Sequence, residues 1–494
     1  MTSPAGTDIA TLLDRLEAEA EAFASELSRE YYLNYAGLKD RLEIAPIYAR
    51  HAALFSRETV DALLEADDDD PRLPELRWFV VEGYLDQAAK ELTERIAERE
   101  TTDTVEWEGQ RIPYRSVPPL VMNEPDPDRR HRLEELRVQA TAGQNPLREQ
   151  RWDLLYARAR ELGFKSYREL CDRLGRLNLQ PLNRMTQRFL WDSEARYREL
   201  LEQRLRSIGV EPGMAEKSDV SYLFRSPEFD AWFTRERMLE ALDETLRDLG
   251  IDPADQPNIR RDTEPRPRKS PRAFCSAIRV PDEVILVINP HGGHDDYRAL
   301  FHEAGHAEHF GSTNPALPFT HRGLGDNSVT EGFAFVLEHV VYNPEWLRRR
   351  LGVFDPSAYL AFSKFQKLYM LRRYAAKLGY EMELHADTNV RGYAKHYADI
   401  LTAHLGVRYA PEDYLSDVDD AYYAARYLRA WIFEAQVRRM FEERWGPAWF
   451  SSREAGARLR ELWSWGQRFT ADELLAELGL GPLDIGPLAQ ELLG

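Results

Sequence analysis

The chain has 494 residues, of which 43% are hydrophobic, 11% aromatic and 30% charged, which is the composition of an ordinary globular protein. Its formal net charge of −19 would repel the phosphates of nucleic acids and anionic membranes, so we expect neither as a partner. The first residues lack the pattern of a secretory signal, and no window is apolar enough to span a membrane. Only two cysteines occur, which favours a reducing cytoplasm.

The first half of the chain is predicted to be mainly helical. Apolar residues recur at three- and four-residue spacing over 8–37 and again over 44–66. Residues 104–114 alternate around a central Glu-Gly pair, which indicates a β-hairpin. Helical patterns then return over about 127–249.

The second half changes character at a proline- and arginine-rich connection, 262–274. Two runs rich in β-branched residues, 273–280 and 283–290, flank a Pro-Asp turn and predict a second hairpin. Residues 330–494 again show helical patterns. We therefore expect a mainly α-helical protein with a small β-sheet placed directly before a cluster of histidines.

That cluster, FHEAGHAEHF (301–310), contains three of the 12 histidines of the chain. It lies on a predicted helix whose N-cap is expected at Asp295 or Asp296 and whose end is expected at Gly311. Residues four apart on a helix share a face, so His302 and His306 project together, one turn apart.

Two neutral imidazoles at this spacing can bind one Zn²⁺ ion. Glu303 would then lie beside the metal, where a carboxylate can act as general base on a water molecule. His309 is expected to face the core or the solvent. The alternative is a helix whose histidines bind no metal.

A catalytic zinc ion uses three protein ligands and keeps one position open. Glu331 is the preferred third ligand, because it follows a Ser/Thr-rich helix start 25 residues after His306. Glu338 lies on roughly the same helix face, either as a rival ligand or as a residue that orients a ligand histidine.

The segment 295–310 resembles the gluzincin peptidases of the thimet oligopeptidase and oligoendopeptidase F family. The hairpin before it is similar to that family's hairpin, whose edge strand holds extended peptide. Residues 320–341 resemble the segment of a relative, angiotensin-converting enzyme, that carries the glutamate ligand. The resemblance is specific over about 265–445 and implies a two-lobed helical ellipsoid with a deep central channel. We expect a helical lobe at 1–261 and an intertwined zinc-binding catalytic lobe at 262–494.

The pair Arg426-Tyr427, followed by LRAWIFEAQ, resembles the converting-enzyme helix whose tyrosine donates a hydrogen bond to the oxyanion. Tyr427 is therefore the preferred donor, and an alignment on the thimet-type enzymes leaves Tyr423 as the alternative. Tyr423 and Arg426 are expected to contact the substrate. The competing interpretation is a stripe of aromatic core residues.

One departure from the family concerns a histidine that it carries about ten residues before that tyrosine. Here the segment YLSDVDD (414–420) has three aspartates and no histidine. Either His404 or His321 replaces it, or the acidic cluster favours a substrate with a cationic group. Phe335 also occupies the place of an aspartate of the converting enzyme.

These residues, with the resemblance, predict a cytoplasmic metallopeptidase that uses one zinc ion per chain to hydrolyse short or unfolded peptides. One rival is a zinc-dependent amide hydrolase that acts on a non-peptide small molecule. Another is a zinc-containing peptide-binding protein without catalysis. The cleavage mode and the oligomeric state are left open.

Overall fold

The computed structural model describes residues 9–67 and 69–494. Helices dominate this part of the chain, and the predicted mainly α class is confirmed. The α-helices of the described residues are α1 (Ile9–Tyr35), α2 (Ala45–Arg50), α3 (Arg57–Glu65), α4 (Leu73–Thr102), α5 (Val117–Asn123), α6 (Pro127–Glu161), α7 (Tyr167–Leu174), α8 (Leu179–Ser207), α9 (Lys217–Arg225), α10 (Arg235–Asp248), α11 (His294–Ser312), α12 (Phe319–Gly323), α13 (Asn327–Glu338), α14 (Pro344–Leu351), α15 (Ser357–Leu384), α16 (Ala394–Leu405), α17 (Tyr423–Trp445), α18 (Arg453–Ser464), α19 (Ala471–Glu477) and α20 (Gly486–Leu493).

Two small sheets accompany the helices, and their strands are β1 (Thr104–Trp107), β2 (Gln110–Pro113), β3 (Ile259–Asp262), β4 (Phe274–Arg279) and β5 (Glu283–Val287). The first predicted hairpin is β1–β2, joined by Glu108 and Gly109, which both have positive φ. That conformation is what a two-residue hairpin turn requires.

The second predicted hairpin is the antiparallel pair β4–β5, with Cys275 opposite Leu286 and Ala277 opposite Val284. The sequence did not predict β3, which pairs in parallel with β5 and makes the strand order β3-β5-β4. Strand β4 is therefore an edge strand, as the resemblance implied.

The sheet lies directly against the histidine helix, as predicted. Helix α11 packs against β4 and β5, and also against α13 and α18. At the C-terminal end of α1, Tyr32 and the following Ala36 form a buried cluster with Ile278, Ile285 and Val287 of the sheet. These apolar contacts hold the end of α1 against the sheet.

The expected ends of α11 were wrong. Its N-cap is Gly293, and Asp296 instead accepts hydrogen bonds from the backbone N–H groups of His291 and Gly292. The helix also continues past Gly311 to Ser312. A Cβ at Gly311 would lie 2.4 Å from Ile259 Cδ1 of β3. This glycine permits close packing on β3 and does not end the helix.

The described chain forms two compact units, each assembled from separate segments. The first contains the described residues within 1–84 together with 227–360 and 429–488, and the second contains the intervening segments and the last six residues. Neither unit begins or ends at residue 261, and the division into lobes at that point stays a prediction. The two-lobed shape and its channel likewise stay predictions.

Candidate metal centre

Two helices of the first unit, α11 and α13, bring the predicted metal ligands together. They approach closely at Gly305, where a Cβ would lie 2.6 Å from Ala334 Cα. Only glycine allows this backbone distance, so the residue between the two histidines determines how near α13 can come. His302 and His306 of α11 then face Glu331 in the first turns of α13.

The three predicted ligands form the one group of potential metal-binding side chains found in the described residues. His302 Nε2 lies 3.2 Å from Glu331 Oε2, and His306 Nε2 lies 3.6 Å from the same oxygen. All three ligand atoms are within 4.8 Å of one another. Two imidazole nitrogens and one carboxylate oxygen are a known ligand set of catalytic zinc, so the donor atoms fit this metal.

The opposite edges of both imidazoles are also held. His302 Nδ1 is 3.0 Å from Glu338 Oε2, and His306 Nδ1 is 2.9 Å from the Thr330 hydroxyl. Glu338 additionally accepts a hydrogen bond of 3.1 Å from the Tyr342 hydroxyl. Such partners orient a ligand histidine and direct Nε2 towards the metal. Glu338 thus contacts the Nδ1 edge of His302, whereas Glu331 lies at the Nε2 edge of both histidines.

The electrostatics of this group favour a cation. Burial opposes a charge on His302, but Glu331 and Glu338 outweigh this effect and raise the pKa of His302 to about 10. Burial also opposes a charge on Glu331 and by itself would raise its pKa. The two imidazoles outweigh this effect and hold the pKa of Glu331 well below its usual range. The carboxylates thus stabilise positive charge at this position, whether it is carried by protons or by a metal ion.

Glu303 extends from α11 to the edge strand. Its Oε2 accepts a hydrogen bond of 2.8 Å from the backbone N–H of Cys275 in β4. Burial and the Glu303 carboxylate raise the pKa of the Cys275 thiol well above its ordinary value, so the thiol is neutral. The candidate general base is therefore fixed between the metal-binding group and the outer edge of the sheet.

His309 is a core residue, one of the two positions expected for it. Its ring packs at 5.0 Å from that of Phe333, and its Nε2 lies 3.2 Å from the carbonyl oxygen of Gly466. Burial lowers the pKa of His309 to about 3, so the ring is neutral.

Tyr423, Arg426 and Tyr427 lie in the second unit, in the first turns of α17. Over residues 423–430 only Tyr423 and Tyr427 are not fully buried, and their rings are 5.0 Å apart. The ring of Tyr427 is also 5.6 Å from that of Tyr374. Arg426 is buried, with only 4% of its surface exposed.

The acidic run before α17 does not offer free charge to a substrate, so this expectation was wrong. Asp417 pairs with Arg373 and accepts a hydrogen bond of 2.7 Å from the Tyr397 hydroxyl. The other two aspartates are paired as well, Asp419 with Lys377 at 2.7 Å and Asp420 with Arg151 at 2.6 Å. The cations come from distant helices of the second unit, which the sequence around the aspartates does not reveal.

The two histidines considered as replacements lie on α12 and α16. His321 Nε2 is 3.3 Å from the carbonyl oxygen of Pro71. His404 lies on α16, and its carbonyl oxygen accepts a hydrogen bond of 2.8 Å from Arg372.

Sequence reasoning missed Thr330 and the N–H group of Cys275. Thr330 directly precedes the third ligand, and a hydroxyl at that position was a usable signal. The backbone N–H of Cys275 could not be recognised from the sequence, because every residue except proline has a backbone N–H group.

Two solved structures of peptidases have a similar fold. A PZ peptidase A, solved with an inhibitor, matches with a TM-score of 0.67 and 16% sequence identity over 99% of this chain and 92% of that one. A protein assigned as oligoendopeptidase F from Bacillus anthracis strain Ames matches with a TM-score of 0.66 and 14% identity, over 99% and 92% of the two chains. At this identity the likeness establishes the fold, and it supports the mainly α-helical class that the sequence predicted.

No family model matches the sequence, and no curated protein matches it. Among the residues that the structure describes, no helix is both long and apolar enough to cross a bilayer.

Proposed function

We propose that this protein is a zinc-dependent metallopeptidase that hydrolyses short or unfolded peptides. The observation that carries the proposal is the grouping of the ligand atoms of His302, His306 and Glu331 within 4.8 Å. Glu303 lies next to His302 on α11. The fold shared with two peptidases supports peptides as the substrate class. We further propose one zinc ion per chain and a cytoplasmic location.

His302, His306 and Glu331 would hold the metal, and Glu338 and Thr330 would keep the two imidazoles oriented. A bound zinc ion would supply Lewis-acid activation of water and of the scissile carbonyl group. Three protein ligands would leave such an ion accessible to the reactants. A site that only stabilised the fold would use a fourth protein ligand instead.

Glu303 is assigned the proton transfers. Its carboxylate takes a proton from the attacking water and then gives this proton to the nitrogen of the leaving amine. One oxygen is held by the N–H of Cys275, which restricts the rotation of the side chain. A carboxylate fixed in this way needs little reorganisation when the proton moves.

The outer edge of β4 would bind the main chain of the substrate. The N–H of Cys275 points away from β5 but already donates to Glu303. The alternation of a strand gives the backbone groups of Ala277 the same direction, and these are the groups left for a peptide. An extended peptide can pair with such an edge as an additional strand. Because Cys275 also contacts Glu303, a peptide bound there would pass the general base.

Tyr427 is proposed to donate a hydrogen bond to the carbonyl oxygen as this atom becomes negative, with Tyr423 and Arg426 as residues that contact the substrate. The partial exposure of both tyrosines on an otherwise buried helix start supports a role outside the core. A neutral donor in this position stabilises the transition state more than the ground state.

The test is mass spectrometry of a mixed peptide library before and after incubation with the zinc-loaded protein. The proposal predicts new peptide termini from the wild type. It predicts none from the Glu303→Gln variant at the same zinc content, which controls for contaminating peptidases. If the library stays intact with the wild type, or is cut equally by the variant, the proposal is wrong.

A further inference from the structure

Residues 419–422 of the second unit, which directly precede α17, contain two consecutive residues in the left-handed region of backbone conformation. Ala421 has a φ of 52° and Tyr422 a φ of 56°. Neither residue is glycine, and a side chain at positive φ crowds its own backbone, so this conformation is costly. It persists only where the surrounding structure holds the chain in place.

Three hydrogen bonds hold this segment against α7 and α15. The N–H of Asp419 donates to Glu381 Oε1, and the N–H of Ala421 donates to the hydroxyl of Tyr167, both at 3.1 Å. The hydroxyl of Tyr422 donates to the carbonyl oxygen of Glu381, also at 3.1 Å. Tyr167, Glu381 and Tyr422 are buried, so water does not readily replace these bonds.

The acidic side chains of the same segment hold it as well. Asp419 pairs with Lys377 of α15 at 2.7 Å, and Asp420 pairs with Arg151 of α6 at 2.6 Å. Together with the three hydrogen bonds, these pairs give every residue of 419–422 a contact with α6, α7 or α15. The costly backbone conformation is therefore supported along its whole length.

This segment determines where α17 starts. The helix begins at Tyr423, directly after Tyr422, and Tyr427 follows one turn later on the same face. A change in the backbone of Ala421 or Tyr422 would move the first turn of α17 and both tyrosine hydroxyls with it. A misplacement of about 1 Å at a reacting group can cost about 10²-fold in rate.

We propose that Tyr167 is a positioning residue for the oxyanion donor of this protein. Its hydroxyl holds the left-handed segment, the segment fixes the start of α17, and the start of α17 places Tyr427. This inference rests on the proposed peptidase function and adds a residue that acts through Tyr427 without contacting the substrate. It also gives the paired aspartates at 419 and 420 a role, since they belong to the same support.

The test begins with Tyr167→Phe, which keeps the ring and removes the acceptor of the Ala421 N–H. For one cleaved peptide, kcat should fall by about 10- to 100-fold. KM should change little, because the hydroxyl of Tyr427 is assigned to the transition state. Tyr422→Phe removes the bond to Glu381 and should lower kcat in the same way.

Tyr156→Phe is the matched control. Tyr156 is also buried, and its ring centre is 6.1 Å from that of Tyr167. Its hydroxyl donates to the carbonyl oxygen of Leu384 at 3.0 Å and lies 2.8 Å from His385 Nδ1, outside 419–422. Both variants lose one buried hydroxyl and should lose similar stability in urea, but only Tyr167→Phe should lower kcat.

Double variants separate positioning from a general loss of structure. If Tyr167 acts through the donor hydroxyl, its replacement should cost little further kcat in a Tyr427→Phe background. Should Tyr423 be the donor, the loss should vanish in the Tyr423→Phe background instead. A residue that only stabilises the fold would lower kcat by the same factor in every background.

The outcomes separate this inference from the proposed function. If the zinc-loaded wild type cuts no peptide, the proposed function fails and this inference fails with it. If the wild type cuts and Tyr167→Phe lowers kcat no more than Tyr156→Phe, the positioning role is wrong and the peptidase function is unaffected. An equal loss in all backgrounds, with wild-type circular dichroism, would overturn it as well.

Discussion

At the scale of single residues, the carboxylate of Glu303 is the group that would distinguish a catalytic metal centre from a metal site that only supports structure. The Glu303→Gln variant keeps the shape of the side chain and can still accept the hydrogen bond from Cys275. It cannot accept a proton, so peptide hydrolysis should fall by about 10²–10⁴-fold. Zinc content and melting temperature should stay near those of the wild type. Activity within tenfold of the wild type would remove Glu303 from its assigned role.

Tyr427 is the residue whose role depends most on the family resemblance. Tyr427→Phe removes one hydroxyl and leaves the ring packed near Tyr374. If the hydroxyl contacts the oxyanion only in the transition state, kcat should fall by about 10²–10³-fold with little change in KM. Tyr423→Phe should cost clearly less, and kcat of both variants on one peptide measures the difference. A larger loss at Tyr423 would favour the alternative alignment, and two small losses would return both residues to a structural role.

At the scale of elements, the approach of α11 to α13 positions the three proposed ligands, and Gly305 makes that approach possible. In Gly305→Ala the new Cβ would meet the backbone of Ala334 at 2.6 Å, so the helices must move apart. Overpacking of this kind costs about 1–3 kcal/mol, which exceeds the roughly 1 kcal/mol that alanine gains over glycine within a helix. We expect a lower free energy of unfolding in urea and weaker zinc binding, because Glu331 moves with α13.

Gly143→Ala is the matched control for that prediction. Gly143 also lies inside a helix, α6, but its nearest neighbour would be Arg99 Nη2 at 3.8 Å from the new Cβ. This variant should be stabilised by about 0.5–1 kcal/mol and should bind zinc normally. If both variants behave alike, close packing at Gly305 is not what fixes the ligand geometry.

The elements that spacing could predict are the local ones. The four-residue interval between His302 and His306 and the alternation on both sides of the Pro281 turn predicted α11 and the β4–β5 hairpin. The sequence could not predict β3, because the four residues Ile259–Asp262 are mostly charged and form a strand only through parallel pairing with β5. The role of Gly311 could not be predicted for the same reason. This glycine packs closely on Ile259, which is distant from it in sequence.

At the scale of the whole molecule, the fold class follows from the periodicity of the chain. The pairing of its charged side chains does not. The aspartates before α17 appeared free in sequence because their partners Arg373, Lys377 and Arg151 are 40 or more residues away. Ion pairs between residues so far apart arise only once tertiary structure is formed. Charge runs alone therefore gave a wrong expectation about the substrate.

One buried acid of the second unit should affect the pH dependence of global stability. Burial raises the pKa of Glu381 from 4.5 to about 8, against the opposing effect of Lys377 and with the support of Asp419. Between these two pH values the unfolded state has lost the proton that the folded state keeps, so rising pH favours unfolding. Glu381→Gln is neutral at every pH and removes this contribution.

The melting temperature of Glu381→Gln, relative to that of the wild type, should therefore increase steadily from about pH 5 to pH 8. Differential scanning calorimetry across this range measures the difference. A difference that is constant with pH, or that shrinks as pH rises, would show that Glu381 is ionised in the folded protein.

The measurement that tests the central claim most directly is a zinc titration of the metal-stripped protein, followed by the cleavage rate of one peptide from the library. The claim predicts no cleavage without metal. The cleavage rate should then rise linearly with added zinc and stop rising at a sharp break at one zinc ion per chain. His306→Ala should show no such break, because two remaining ligands hold zinc weakly. Cleavage that persists in the metal-stripped wild type, or an undiminished break in His306→Ala, would contradict the assignment of His302, His306 and Glu331 as the catalytic metal site.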